Sequence, residues 1–178
     1  ELNELTGAWH TDITCDSYMN RIYDKTASLF STSAESGAVL GRADANDTTR
    51  LKNFGYNLGM AYQIFDDLLD FEATHEQIGK PVANDLSNGI LTLPSIIAFQ
   101  STKAFYAIQE YFESRGNGDS KLLKNAYNAI NDTGALAEAR NTAKNFIKDA
   151  KTSIKSLPKT DALESLELLL NYVSRTNP

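Results

Sequence analysis

One cysteine, one tryptophan, two histidines, two methionines and four prolines are all that the 178 residues hold of these types. A lone Cys15 excludes an internal disulfide, and no Cys/His spacing resembles a zinc site, so the expected compartment is a reducing interior, the cytoplasm foremost. No apolar run approaches the roughly 20 residues of a bilayer-spanning helix, so no stable membrane insertion is expected and any membrane contact is peripheral. Positive charge is scarce as well: 17 Lys and Arg stand against 23 Asp and Glu, a formal net charge of -6. Nucleic-acid binding rests on Lys/Arg surfaces that neutralise phosphates, so that class of partner is excluded. The opening Glu-Leu-Asn-Glu-Leu has no initiator methionine and reads as the interior of a helix rather than as a basic leader.

What the chain does hold is helical spacing. No segment alternates with a period of two, and a 42% hydrophobic, 22% charged composition suits one globular domain, so an all-α fold is expected. A first helix is predicted from a cap at Asp16 or Ser17 to about Gly41, and a second from Asp47 or Thr48 to near Phe71. Residues 73–91 carry Gly and Pro and read as a loop with at most a short turn. A third helix is predicted from Thr92 and Pro94 to about Ser114. Shorter ones follow over 120–131, 134–156 and 160–175, capped by Asp132 or Thr133 and by Thr160 or Asp161. Lys144, Lys148, Lys151 and Lys155 read as a solvated stripe. His10 reads as a surface residue and His75 as a loop residue, while Trp9 and Cys15 read as packing positions.

The feature that helical packing does not explain is the acid triplet ending Gly59-Met-Ala-Tyr-Gln-Ile-Phe-Asp-Asp-Leu-Leu-Asp70. At about 100° per residue, Asp66 and Asp70 share a helical face one turn apart, with Asp67 beside them. Crowded carboxylates repel, so they call for solvent or for a hard cation such as Mg²⁺, which prefers carboxylate oxygens shared with phosphates. Acids closing a helix also oppose its dipole, which makes a purely structural purpose less economical.

The neighbouring motifs supply a context. Lys25-Thr26 lies upstream in Tyr23-Asp-Lys-Thr-Ala-Ser-Leu-Phe30, Gln63 precedes the triplet, and Gly79-Lys80-Pro81, Asn84-Asp85 and Thr92-Leu93-Pro94 follow. In this order and spacing the chain resembles the trans-polyprenyl diphosphate synthases, with a phrasing closer to the medium- and long-chain members than to the shortest-chain ones. The resemblance implies the isoprenoid-synthase helical bundle around a central cavity. It also implies that residues 1–178 are the C-terminal part of one synthase domain, carrying its second aspartate-rich motif. The family's other such motif and the paired arginines after it have no counterpart here, so the N-terminal part is expected to be missing and this piece alone to be inactive.

The activity so implied is condensation of isopentenyl diphosphate with an allylic diphosphate, with Mg²⁺ assisting ionisation. By resemblance Asp66, Asp67 and Asp70 hold metal, Asp66 most directly and Asp67 by way of water. Lys25 and Lys80 grip diphosphate, and Thr26 and Gln63 add hydrogen bonds. Taken one at a time these lysines would be ordinary surface residues; only the motif singles them out. Tyr62, with Phe30, Leu58 and Phe65, is a candidate wall for the prenyl chain, and Asp85 a candidate contact to a lysine or to metal-bound water. Ile90 departs from the pattern, because many members carry lysine there. A homodimer or heterodimer is expected. The alternative is a non-catalytic or regulatory subunit that needs a partner chain.

Overall fold

Side-chain caps mark the start of several helices in this computed structural model, which describes residues 7–72, 83–115 and 120–175. Helix α1 (Cys15–Ile22) starts after Thr14, whose hydroxyl accepts from the Ser17 N–H at 3.1 Å while the Thr14 N–H donates to Ser17 Oγ at 3.1 Å. This is a reciprocal cap with Ser in the usual Glu/Gln place, two to three residues earlier than the predicted Asp16 or Ser17. A π turn (Tyr23–Ala27) follows without a break, and then α2 (Ser28–Leu40). Helix α3 (Ala45–Glu72) is capped by Asp44, which accepts from the Asp47 N–H at 2.8 Å. The cap is therefore three residues before the predicted Asp47.

Within the predicted loop lies the one-turn helix α4 (Asn84–Ser87). The predicted third helix is two, α5 (Leu93–Ala98) and α6 (Thr102–Glu113). Ser101 adopts an extended conformation and caps α6 by accepting from the Ala104 N–H, which stops the apolar pattern from continuing as one helix. Helices α7 (Ser120–Asn131), α8 (Ala135–Ile154) and α9 (Asp161–Arg175) lie within two residues of their predicted bounds. Thr133 and Thr160 act as their side-chain caps for α8 and α9. No strand occurs among the described residues, in agreement with the all-α expectation.

The chain forms two compact units, one of residues 1–21 with 66–140 and one of residues 22–65 with 141–178. In the first, Tyr18, Leu68, Phe71, Leu86, Leu91, Ile108 and Ile130 are fully buried. Trp9 also packs there, as read, with ring centroids 5.8 Å from Tyr111 and 5.4 Å from Phe112. Cys15 does not, being exposed at the first residue of α1. The Trp9 N–H donates to the Gly89 carbonyl at 2.8 Å, and Tyr111 Oη donates to the Ser87 carbonyl at 3.1 Å, so this aromatic group clasps residues 87–89.

Gly89 has φ +76°, and a Cβ there would lie 2.4 Å from the Trp9 indole. Gly89→Ala is therefore expected to destabilise the protein by about 2 kcal/mol, from left-handed backbone strain plus displacement of the ring. Urea unfolding followed by emission of Trp9, the chain's sole tryptophan, measures this. An unchanged midpoint would contradict it.

In the second unit, Phe54, Leu58, Met60, Ile64, Phe65 and Ile154 form the core. Gly55 and Gly59 sit one turn apart on α3 where the π turn and α2 press closest: a Cβ at Gly55 would meet the Phe30 carbonyl oxygen at 2.4 Å, and one at Gly59 the Ala27 Cα at 2.6 Å. Lys148, Lys151 and Lys155 are exposed and share a groove with Glu164 and Glu167, as a solvated stripe should.

Candidate functional site

In the first unit the three acids at the end of α3 part company. Asp66 is exposed. Asp67 is only 6% exposed and accepts a 2.7 Å hydrogen bond from the Tyr18 phenol, itself fully buried. Asp70 is half-buried, and its two oxygens accept from the Asn84 N–H at 3.0 Å and the Asp85 N–H at 2.9 Å, while its carbonyl accepts from the Ala83 N–H at 2.8 Å. Asp70 thus caps α4 from a distance of 14 residues in sequence and anchors Ala83, which stands in the left-handed region at φ +57°.

The phenol of Tyr18 titrates well above the usual tyrosine range. Burial is the largest cause, followed by the charge of Asp67 and the hydrogen bond to it; Asp85 adds to the effect and Arg21 opposes it. The hydroxyl therefore stays protonated and serves as a donor. Arg21, one turn on, places its guanidinium 5.5 Å from the Tyr18 ring centroid and donates to the Leu91 carbonyl. Neither Tyr18 nor Arg21 stands out in the sequence, where Tyr18 counts as one more apolar position of a helix. The available signal is that a buried phenol nearly always has a partner.

The second unit holds the Lys-Thr pair. Both residues lie in the π turn, a helical distortion frequent at functional sites. Lys25 is exposed and Thr26 half-buried. Thr26 Oγ1 donates to Gln63 Oε1 at 2.6 Å, joining two residues that the sequence places 37 apart, and Gln63 is 5% exposed. Tyr62 is 45% exposed, with its ring 5.8 Å from that of Phe30. Phe30 and Leu58, together with Leu29, Phe54 and Leu169, line an apolar groove of about 360 Å³. Phe65 is buried core rather than groove wall. Lys80, with Gly79, Pro81 and His75, lies outside the described residues.

A divalent cation needs several oxygen donors. Among the described residues no three His, Cys, Asp or Glu side chains are grouped to hold one. The chemistry of Asp66, an exposed hard-oxygen donor, fits such an ion as one ligand among several, while Asp67 and Asp70 are engaged in holding α3 to α1 and α4. Among the described residues no helix is long and apolar enough to cross a membrane.

The chain is similar to known proteins over nearly its whole length. It is 35% identical over 168 residues to the octaprenyl diphosphate synthase of Escherichia coli, an alignment covering 93% of this chain and 51% of that protein. To a short chain isoprenyl diphosphate synthase of Methanothermobacter thermautotrophicus it is 33% identical over 163 residues, covering 91% and 50%. The crystal structure of heptaprenyl diphosphate synthase from Staphylococcus aureus superposes with a TM-score of 0.92 at 29% identity, covering 99% of this chain and 55% of that one. The chain spans about half the length of the curated relatives it matches. Its fold is accordingly that of the corresponding part of the isoprenyl synthase helical fold. Residues 1–130 match the family model for polyprenyl synthetase, and with the Lys-Thr turn, the acid triplet and the cap on α4 all within that span, the chain belongs to the polyprenyl synthetase family.

Proposed function

We propose that this chain is the C-terminal part of a trans-prenyltransferase domain, carrying its second aspartate-rich motif, and that the complete site condenses isopentenyl diphosphate with an allylic diphosphate to give a polyprenyl diphosphate. The observation that carries this reading is the placement of the acid triplet at the end of α3: Asp67 and Asp70 fasten that end, and Asp66 beside them is exposed. Mg²⁺ bound there supplies positive charge to a diphosphate leaving group as its C–O bond breaks.

The remaining parts have separate duties. Lys25, exposed on the π turn, contributes a cationic contact to diphosphate oxygens, and Lys80 is assigned the same task from its place in the Gly-Lys-Pro motif. Thr26 and Gln63, fixed to each other, offer hydrogen bonds to the diphosphate. Phe30, Leu58 and the exposed ring of Tyr62 offer the prenyl chain a water-poor wall, which protects a carbocation-like centre from hydrolysis. A dimer fits this family reading, and the cytoplasm fits a chain whose sole cysteine is unpaired.

The test is incorporation of labelled isopentenyl diphosphate into extractable prenyl product, with and without Mg²⁺. It is run on the protein alone and mixed with a polypeptide supplying the other half of a relative's domain. Mg²⁺-dependent product in either arm supports the reading, and product only in the mixture makes the chain a subunit that needs its complement. No product in either arm, with the relative's intact enzyme active alongside, overturns it.

A further inference from the structure

We propose that Tyr18 is a positioning residue that sets the Asp66 carboxylate by acting through Asp67, an inference that rests on the function proposed above. The phenol is fully sequestered and its bond to Asp67 Oδ2, at 2.7 Å, joins a neutral donor to an anionic acceptor, the stronger class of hydrogen bond. A buried polar pair of this kind seldom improves on an apolar pair of the same shape as a source of stability. What it supplies instead is direction. Asp66 is the residue before Asp67 on α3, so wherever Asp67 is anchored, the rotation of α3 about its own axis, and with it the heading of Asp66, is fixed to the same degree.

Two further contacts make the anchor stiff. One turn beyond Asp66, Asp70 is held by the N–H groups of Asn84 and Asp85, so the end of α3 that follows the exposed acid is secured at two points. One turn beyond Tyr18, Arg21 covers the phenol ring and donates to the carbonyl of Leu91, just ahead of α5. Helix α1 therefore reaches the acid helix with its phenol and the turn before α5 with its guanidinium. Phenylalanine at position 18 keeps the buried volume and the ring beneath Arg21 and deletes only the donor, so direction can be separated from packing.

The experiment titrates Mn²⁺, in the presence of inorganic diphosphate, into ¹⁵N-labelled protein and follows paramagnetic broadening of backbone amides flanking residue 66. This readout needs no turnover, and the same spectra report whether each variant is folded. Wild type is expected to show local broadening that Asp66→Ala abolishes, and Tyr18→Phe is expected to raise the Mn²⁺ midpoint at least about fivefold. The double variant Tyr18→Phe/Asp67→Asn is expected to be no worse than Asp67→Asn alone, because coupled residues are not additive.

A folded Tyr18→Phe with the wild-type midpoint, or additive effects in the double variant, overturns the positioning role while leaving the function intact. Wild type without broadening that depends on Asp66 overturns both. Should Tyr18→Phe fail to fold, Asp67→Asn is read in its place, and a wild-type midpoint in that variant overturns the inference.

Discussion

Alanine at position 66 is expected to lower the Mg²⁺-dependent rate of prenyl transfer by about 10²–10³, the loss typical when one electrostatic stabiliser of developing charge is removed. The fold should hardly notice. Asp66 is exposed, and substitutions at exposed positions away from special features usually change stability by less than about 0.5 kcal/mol. The neighbouring acid offers the contrast. Asp67→Ala strips the buried Tyr18 hydroxyl of its acceptor, and leaving such a group unsatisfied costs about 1–3 kcal/mol. Rates at saturating substrate across a Mg²⁺ series, set beside unfolding midpoints, separate the two variants. If Asp66→Ala retains activity within threefold of wild type, the assignment of that carboxylate is wrong.

The second large effect is expected at Gly55. Alanine there gains about 1 kcal/mol of helix propensity, yet its methyl group would sit 2.4 Å from the Phe30 carbonyl oxygen and 2.9 Å from the Ser31 Cα. Those are backbone atoms with no rotamer to retreat into, so α2 and α3 must separate. We expect a net loss of about 3 kcal/mol, at the upper end for overpacking, and a fall in Tm of about 10 °C. Separation also acts on the site, because the π turn leading into α2 carries Thr26 and α3 carries its partner Gln63. Calorimetry of Gly55→Ala decides the matter, with Gly37→Ala as control, since a Cβ at Gly37 meets nothing within 4 Å. Equal midpoints for the two variants would remove the close-approach argument.

The sequence makes some of this legible and conceals the rest for identifiable reasons. Helix α7 is readable to the residue because its apolar face and its flanking breakers agree. The acid triplet is readable because charge ending an apolar run has few structural uses. The division between α5 and α6 is hidden, since no Gly or Pro stands between Ile96 and Phe105 and a single extended residue, Ser101, makes the cut. The anchoring of Asp67 and Asp70 depends on residues 14 to 49 positions away, beyond any local pattern. The π turn is hidden as well, because five residues are too few for a spacing of 4.4 to be told from one of 3.6.

That π turn amounts to a single-residue insertion accommodated inside a helix, and it gives the chain an unusual sensitivity to length. Cys15–Ile22 before the turn and Ser28–Leu40 after it are in ordinary α phase, and the turn shifts that phase by about a residue's worth of rotation, roughly 100°. Deleting one residue of the turn would let an uninterrupted α-helix form with all its hydrogen bonds intact. The helix would then keep its regularity, while Lys25 and Thr26 would lose the headings that the π turn gives them. A frame-preserving loss of one codon here would thus be more damaging than most substitutions, although no side chain in contact with substrate need have changed.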